Sequence, residues 1–193
     1  MGKDGPIIAA LGDSLFEGWG LAPGEDAPSA LERLFAARSI PVRVRNFGVS
    51  GETAAEGLRR VGRVLRARPA LCLVEFGAND FYQGVPPEAM EEHLAAMLST
   101  LRDNGVAALI VGIRALEEYT GAEYKARFDP VFARLAARFG VPLVEDVFSA
   151  YLHDPALLLP DGIHPNAAGA EAIARMLKLP VLEALSALGI AAP

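Results

Sequence analysis

Residues 9–20 read AALGDSLFEGWG: an apolar, strand-like run ends against Gly12, Asp13 and Ser14, and further glycines follow. A strand that stops at a polar turn and gives way to helical periodicity is the opening of an α/β unit. The alternation repeats along the chain. Apolar, β-prone runs recur at 7–11 (IIAAL), 42–47 (VRVRNF), 71–76 (LCLVEF), 108–113 (ALIVGI) and 141–146 (VPLVED). Helical patterns separate them at 29–39, 54–68, 86–105 and 122–140, and a last one starts near Asn166 and is interrupted by Pro180. Strict alternation, with several strands apolar throughout, predicts a parallel sheet covered by helices on both faces. Gly105 and Gly140 stand just before strands, where glycine ends a helix. The expected fold is α/β: one three-layer α/β/α domain over 1–193 with a five-stranded parallel sheet.

Bulk properties agree with one soluble unit. A chain of 193 residues can bury one sizeable core, and 52% hydrophobic residues interleaved with charge is a globular composition. The formal net charge of −6 disfavours nucleic acid and anionic membrane surfaces as partners. Cys72, the one cysteine, lies in an apolar run and reads as a buried hydrophobe. No stretch is long enough to span a membrane, and the N-terminus lacks a signal-peptide pattern. A soluble, cytoplasmic protein is expected, or a periplasmic or secreted one if a leader has been removed. Nothing in the sequence specifies an oligomeric state.

Open parallel sheets bind ligands beyond the carboxyl ends of their strands. Four polar stretches fall there: GDS at 12–14, GVSGET at 48–53, GAND at 77–80, and DGIHP at 161–165 before the last helix. A serine becomes a nucleophile only when a base takes its proton and a third group orients that base. His93 lies among charges on a helix and reads as solvated; His153 adjoins Asp154, a pair whose side chains diverge. His164 follows Asp161 by three residues across a glycine turn, so the carboxylate can fold back onto one ring nitrogen. A D-x-x-H alone also fits a loop hydrogen bond with Asp161 capping the next turn. Oxyanion donors are available in the Ser14 N–H, the Gly48 N–H and the Asn79 side-chain amide. Taken singly, Gly48 is a turn glycine and Asn79 an Asx-turn residue.

These blocks, in order over residues 7–166, resemble the SGNH hydrolases, also called GDSL esterases and lipases. The matching residues are Ser14 in GDSL, Gly48 in NFGVSGET, Asn79 in GAND and His164 in DGIHP. VEFGAND, VGIRA with YTGAEY, and DGIHPN resemble the branch of bacterial thioesterase I, arylesterases and lysophospholipases. The resemblance implies a flavodoxin-like SGNH-hydrolase fold, with Ser14 as nucleophile, His164 as general base and acid, and Asp161 orienting His164. It also implies Ser14, Gly48 and Asn79 as the oxyanion hole, with no cofactor. Glu117 departs from the pattern, where related sequences carry proline, and alters the acyl-side loop.

Other schemes fit poorly. Ser14 is not in a G-x-S-x-G, because Phe16 stands at the second glycine position, and Glu17 excludes S-x-x-K. No Walker motif, dinucleotide fingerprint or metal-ligand cluster is present, so no metal is expected. Ser50 reads as a helix N-cap with Thr53 alongside, and Asp13 as a hydrogen-bonder within the turn. Trp19, Phe81, Tyr82, Leu116, Tyr119 and the ALLLP run at 156–160 are candidates to line an apolar groove. Glu117 and Glu118 favour neutral esters. The expected partner is a small-molecule ester or thioester of short to medium acyl or aryl type. A carbohydrate acetylesterase of the same family and a non-enzymatic flavodoxin-like binding domain are the alternatives.

Overall fold

The computed structural model describes residues 5–190; positions 1–4 and 191–193 of the expected 1–193 span lie outside the described residues. The strands are β1 (Ile7–Gly12), β2 (Arg43–Gly48), β3 (Leu71–Glu75), β4 (Ala107–Val111) and β5 (Leu143–Val144). All pair in parallel, in the order β2-β1-β3-β4-β5. Strand order therefore reverses between β1 and β3, and a crevice opens at their carboxyl ends.

The helices are α1 (Ser14–Glu17), α2 (Ala27–Ala36), α3 (Ala54–Arg66), α4 (Ala78–Tyr82), α5 (Pro87–Asp103), α6 (Glu117–Thr120), α7 (Ala122–Phe128), α8 (Pro130–Phe139) and α9 (Ala167–Ala187). Helix α2 packs on α9, while α3 packs on α5 and α5 on α8. Every residue of β3 is buried, as a strand covered on both faces must be. At the sheet edge β2 keeps Arg43, Arg45 and Asn46 exposed, and such charge discourages edge-to-edge pairing.

Three expectations about elements need correction. The 122–140 pattern forms two helices, α7 and α8, because Pro130 has no N–H to continue α7 and starts a helix well. Pro180 does not interrupt α9: Ile173, Leu177, Val181 and Leu185 make one buried stripe across it, and that packing outweighs one missing backbone bond. The last strand shrinks to two residues. Asp146 leaves the ladder to cap the following turn, accepting the N–H groups of Phe148 and Arg114.

Gly57 shows how tightly α3 meets the sheet. A Cβ there would lie 2.2 Å from the Cζ of Phe76, which is fully buried. Alanine is the better helix former by about 1 kcal/mol, but overpacking costs about 1–3 kcal/mol. Gly57→Ala is expected to lower the urea midpoint without changing the slope. A midpoint at or above wild type would mean that Phe76 moves aside freely.

Candidate active site

Strand β1 delivers Ser14 to the crevice. Asp13 caps α1 by accepting the Leu15 N–H on Oδ1 at 3.0 Å, which places Ser14 in the first turn of that helix. The Ser14 hydroxyl lies 3.0 Å from Nε2 of His164, and Nδ1 of His164 lies 2.8 Å from Oδ2 of Asp161. The D-x-x-H turn closes on itself, since Asp161 Oδ1 also accepts the N–H groups of Ile163 and His164. Burial pushes the Asp161 carboxyl up, but those two N–H donors and the imidazole outweigh it and hold the group below its ordinary value.

The loop carrying His164 is fixed at both flanks. Leu158 and Pro165 form an isolated bridge, the Leu159 N–H donates to the His164 carbonyl at 2.8 Å, and the Tyr151 hydroxyl donates to the Ile163 carbonyl at 3.2 Å. Asn166 caps α9 by accepting the Gly169 N–H, and its own amide donates to the carbonyls of Ala156 and Leu158. The imidazole is thus held from the backbone side before any substrate arrives.

Asn79, on α4, turns its amide into the same crevice. Its Nδ2 donates to Asp13 Oδ2 at 3.0 Å and to the Glu52 carbonyl at 2.9 Å. Gly48 does not serve as expected. Its N–H donates to Asn46 Oδ1 at 2.8 Å, and Asn46 in turn donates to the Phe16 carbonyl and to Asp26. What Gly48 supplies is clearance: a Cβ there would lie 2.2 Å from the Glu17 nitrogen.

Gly51, unremarkable in sequence, shapes the same corner. It has φ +82°, and the Glu52 carbonyl, one residue on, accepts from the Asn79 amide. Among the described residues, neither the Gly51 N–H nor the Ser14 N–H has a hydrogen-bond acceptor. The available signal was the glycine two residues before the capping Thr53. Thr53, not Ser50, caps α3 in a capping box with Glu56, while Ser50 donates its hydroxyl and N–H to Glu17. Arg60 supports this corner, donating to the Phe47 and Gly12 carbonyls and pairing with Glu52.

Carboxyls crowd beneath the site. Burial pushes Asp13 up to about 6. Glu75, at the end of β3, is driven well above the usual carboxylate range by burial and by the neighbouring Asp13 charge. Asp80, which accepts the Ala54 N–H at the start of α3, is also pushed up to about 6 by burial. His93 is half-buried and its Nδ1 has no hydrogen-bond partner among the described residues, so it is not the solvated side chain its neighbours suggested.

One hollow opens at Ser14 and His164, and a second lies beyond Trp19. The first is a cavity of about 170 Å³ walled by Leu15, Ala78, Tyr82, Phe148, Tyr151 and Ile163, with Ser14, Asn79 and His164 at its mouth. The other, of about 460 Å³, runs from Trp19 past Leu21 and Pro23 to Val49 and Ser50. Of the expected lining residues, Tyr82 walls the first and Trp19 the second. Trp19 is exposed, with its ring 6.0 Å from that of His164. Tyr119 stacks edge-on against Tyr82 from outside. Phe81 does not line the groove, because it is buried edge-on against Phe128 and Phe148 in the core. Leu116 packs half-buried on the core beside exposed Glu117 and Glu118.

The model of the GDSL-like lipase/acylhydrolase family matches residues 10–172. An arylesterase of Vibrio mimicus is 31% identical over 160 residues, 82% of this chain and 80% of its own. The thioesterase 1/protease 1/lysophospholipase L1 of Escherichia coli K12 is 31% identical over 82% of this chain and 75% of its own. Among solved structures, TesA superposes with a TM-score of 0.85 at 28% identity, covering 91% of this chain and 97% of that one. AlinE4, an SGNH-hydrolase family esterase, does so with a TM-score of 0.79 at 36% identity, covering 100% and 99%. The chain belongs to the GDSL-like lipase/acylhydrolase family. It is an ester hydrolase of the SGNH type.

A side chain at position 48 has only backbone to push against. Gly48→Ala is therefore expected to displace α1, lowering both Tm and ester hydrolysis, with the Tm falling by a few degrees for about 1–3 kcal/mol of overpacking. Unchanged values of both would show that α1 yields without cost.

Proposed function

We propose that this chain hydrolyses neutral carboxylic esters of short to medium acyl groups through an acyl-enzyme on Ser14. The observation that carries this reading is the chain of contacts from Ser14 Oγ to His164 at 3.0 Å and from His164 to Asp161 at 2.8 Å. His164 takes the Ser14 proton as the hydroxyl attacks the carbonyl, and Asp161 holds the ring and stabilises the imidazolium. The N–H groups of Ser14 and Gly51 and the Asn79 amide meet the developing oxyanion, the amide sharing the N–H it otherwise gives to Asp13. His164 then protonates the leaving alcohol, and water repeats the sequence to free the acid.

The cavity of about 170 Å³ takes the acyl group. A dry engineered cavity of about 150 Å³ accommodates a benzene-sized group, so a chain of about six carbons fills this one. The larger hollow beside Trp19 takes the leaving group. Exposed Glu117 and Glu118 near the rim favour uncharged substrates over anionic ones. Among the described residues no helix is long and apolar enough to cross a membrane.

Three measurements test the reading. An organophosphonate should abolish p-nitrophenyl ester hydrolysis and label Ser14, whereas labelling elsewhere with retained activity would overturn the mechanism. Ser14→Ala should abolish turnover, while Asn79→Ala should lose about 10²–10³ in kcat and remain measurable. Across an acyl series, kcat/KM should rise by up to about fourfold per methylene towards six carbons and then fall, since each buried methylene contributes about 0.8 kcal/mol. Activity confined to acetyl esters would turn the assignment to a carbohydrate acetylesterase.

A further inference from the structure

Glu75 is the one ionised-type residue in a strand otherwise made of Leu, Cys and Val, and it is wholly buried. Its Oε2 accepts the Asp13 N–H at 3.2 Å, and among the described residues its Oε1 has no hydrogen-bond donor. The acid lies directly under the nucleophile turn, since a Cβ on Gly12 would sit 2.5 Å from Oε2. Glu75 thus meets Asp13 at its backbone N–H, and the two wholly buried carboxyls act on one another. Two carboxylates offer only acceptors to each other, so such a contact holds only when one of them carries a proton.

Asp13 is the better candidate for the charge. Its Oδ1 accepts from Leu15 and its Oδ2 from Asn79, while Glu75 receives a single N–H. Hydrogen bonds to a carboxylate favour its charged form. The other ionisable groups facing the pair are Asp80 and His164, which act on Asp13, and Tyr151, which faces both. Of these only His164 can be a cation, and it stands on the Asp13 side.

We propose that Glu75 is a positioning residue: as a neutral acid it donates to the Asp13 carboxylate, and so holds that carboxylate, and with it the Asn79 amide, in place for the oxyanion. The inference rests on the reading of Asn79 as an oxyanion donor given above. An Asp13 carboxylate that already receives a proton from Glu75 fixes the Asn79 amide without monopolising it, leaving the shared N–H available to the transition state.

The test compares Glu75→Gln, which keeps a donor of the same shape, with Glu75→Met, which removes it. On p-nitrophenyl butyrate, Glu75→Gln should stay within about threefold of wild-type kcat, and Glu75→Met should lose about 10- to 100-fold in kcat with KM nearly unchanged. Because the effect passes through Asn79, the double variant Glu75→Met/Asn79→Ala should be no slower than Asn79→Ala alone. Losses that multiply, or a Glu75→Gln variant as slow as Glu75→Met, would overturn the proposal.

Two readouts do not need turnover. A carboxyl whose folded value is raised contributes stability that is full below its unfolded value, near 4.5 for glutamate, and is lost as pH rises through the folded value. The Tm of Glu75→Gln should therefore gain on wild type as pH rises, and a gap that does not change with pH contradicts a buried proton on Glu75. The side-chain amide resonances of Asn79 should stay put in Glu75→Gln and shift or broaden in Glu75→Met; unchanged resonances in Glu75→Met would sink the positioning role. Were the wild-type chain to show no ester hydrolysis, the functional reading would fall while these two measurements still decided on Glu75.

Discussion

The carboxylate of Asp13 ties together the parts on which the site depends. Its N–H reaches Glu75 at the end of β3, one oxygen accepts from Leu15 in α1, and the other accepts from Asn79 on α4. The segments that leave the sheet after β1 and after β3 thus meet on one residue. The location follows from topology: β1 and β3 are neighbours whose connections run to opposite sides, so their carboxyl ends are where a side chain can bridge between loops. In a dry environment each of these bonds is stronger than at the surface, and each is costly to leave unmade.

The other half of the constellation arrives from far along the chain. His164 is 150 residues beyond Ser14, and it meets the hydroxyl because α9 packs on α2 while the loop before α9 is pinned to itself and to Tyr151. Rigid backbone on both sides leaves little for the imidazole to do but turn about its own bonds. Such preorganisation matters for acyl transfer, where donors must already point at the charge that develops. The cost is a concentration of buried acids, Asp13, Glu75 and Asp80, beneath the crevice. Strained electrostatics of this kind gather where a site, not a core, is being built.

Much of the architecture was legible along the chain. Strands and helices announced themselves through alternation and apolar periodicity, and the four polar blocks fall at the strand ends where a parallel sheet opens. The misreadings have a common origin in distance. Gly48 and Gly51 look alike in GVSGET, and only the third dimension shows that Asn46 takes the first N–H while Glu17 needs the space above it. Phe81 and Tyr82 are adjacent aromatics in sequence, yet one is buried among Phe128 and Phe148 and the other walls the cavity. Pro180 signalled a break that the buried stripe on either side of it overrides.

What the sequence determined by itself is local and periodic. Apolar spacing set the elements, and the D-x-x-H turn placed a carboxylate on a ring nitrogen within one loop. What only the tertiary structure decided is which groups from separate loops share atoms: the Asn79 amide between Asp13 and Glu52, the free N–H groups of Ser14 and Gly51, the size of the acyl cavity, and the pairing of Glu75 with Asp13. The physical reason is that hydrogen bonds and desolvation depend on positions fixed to within an ångström. The spacing of residues along a chain sets those positions only inside a single turn.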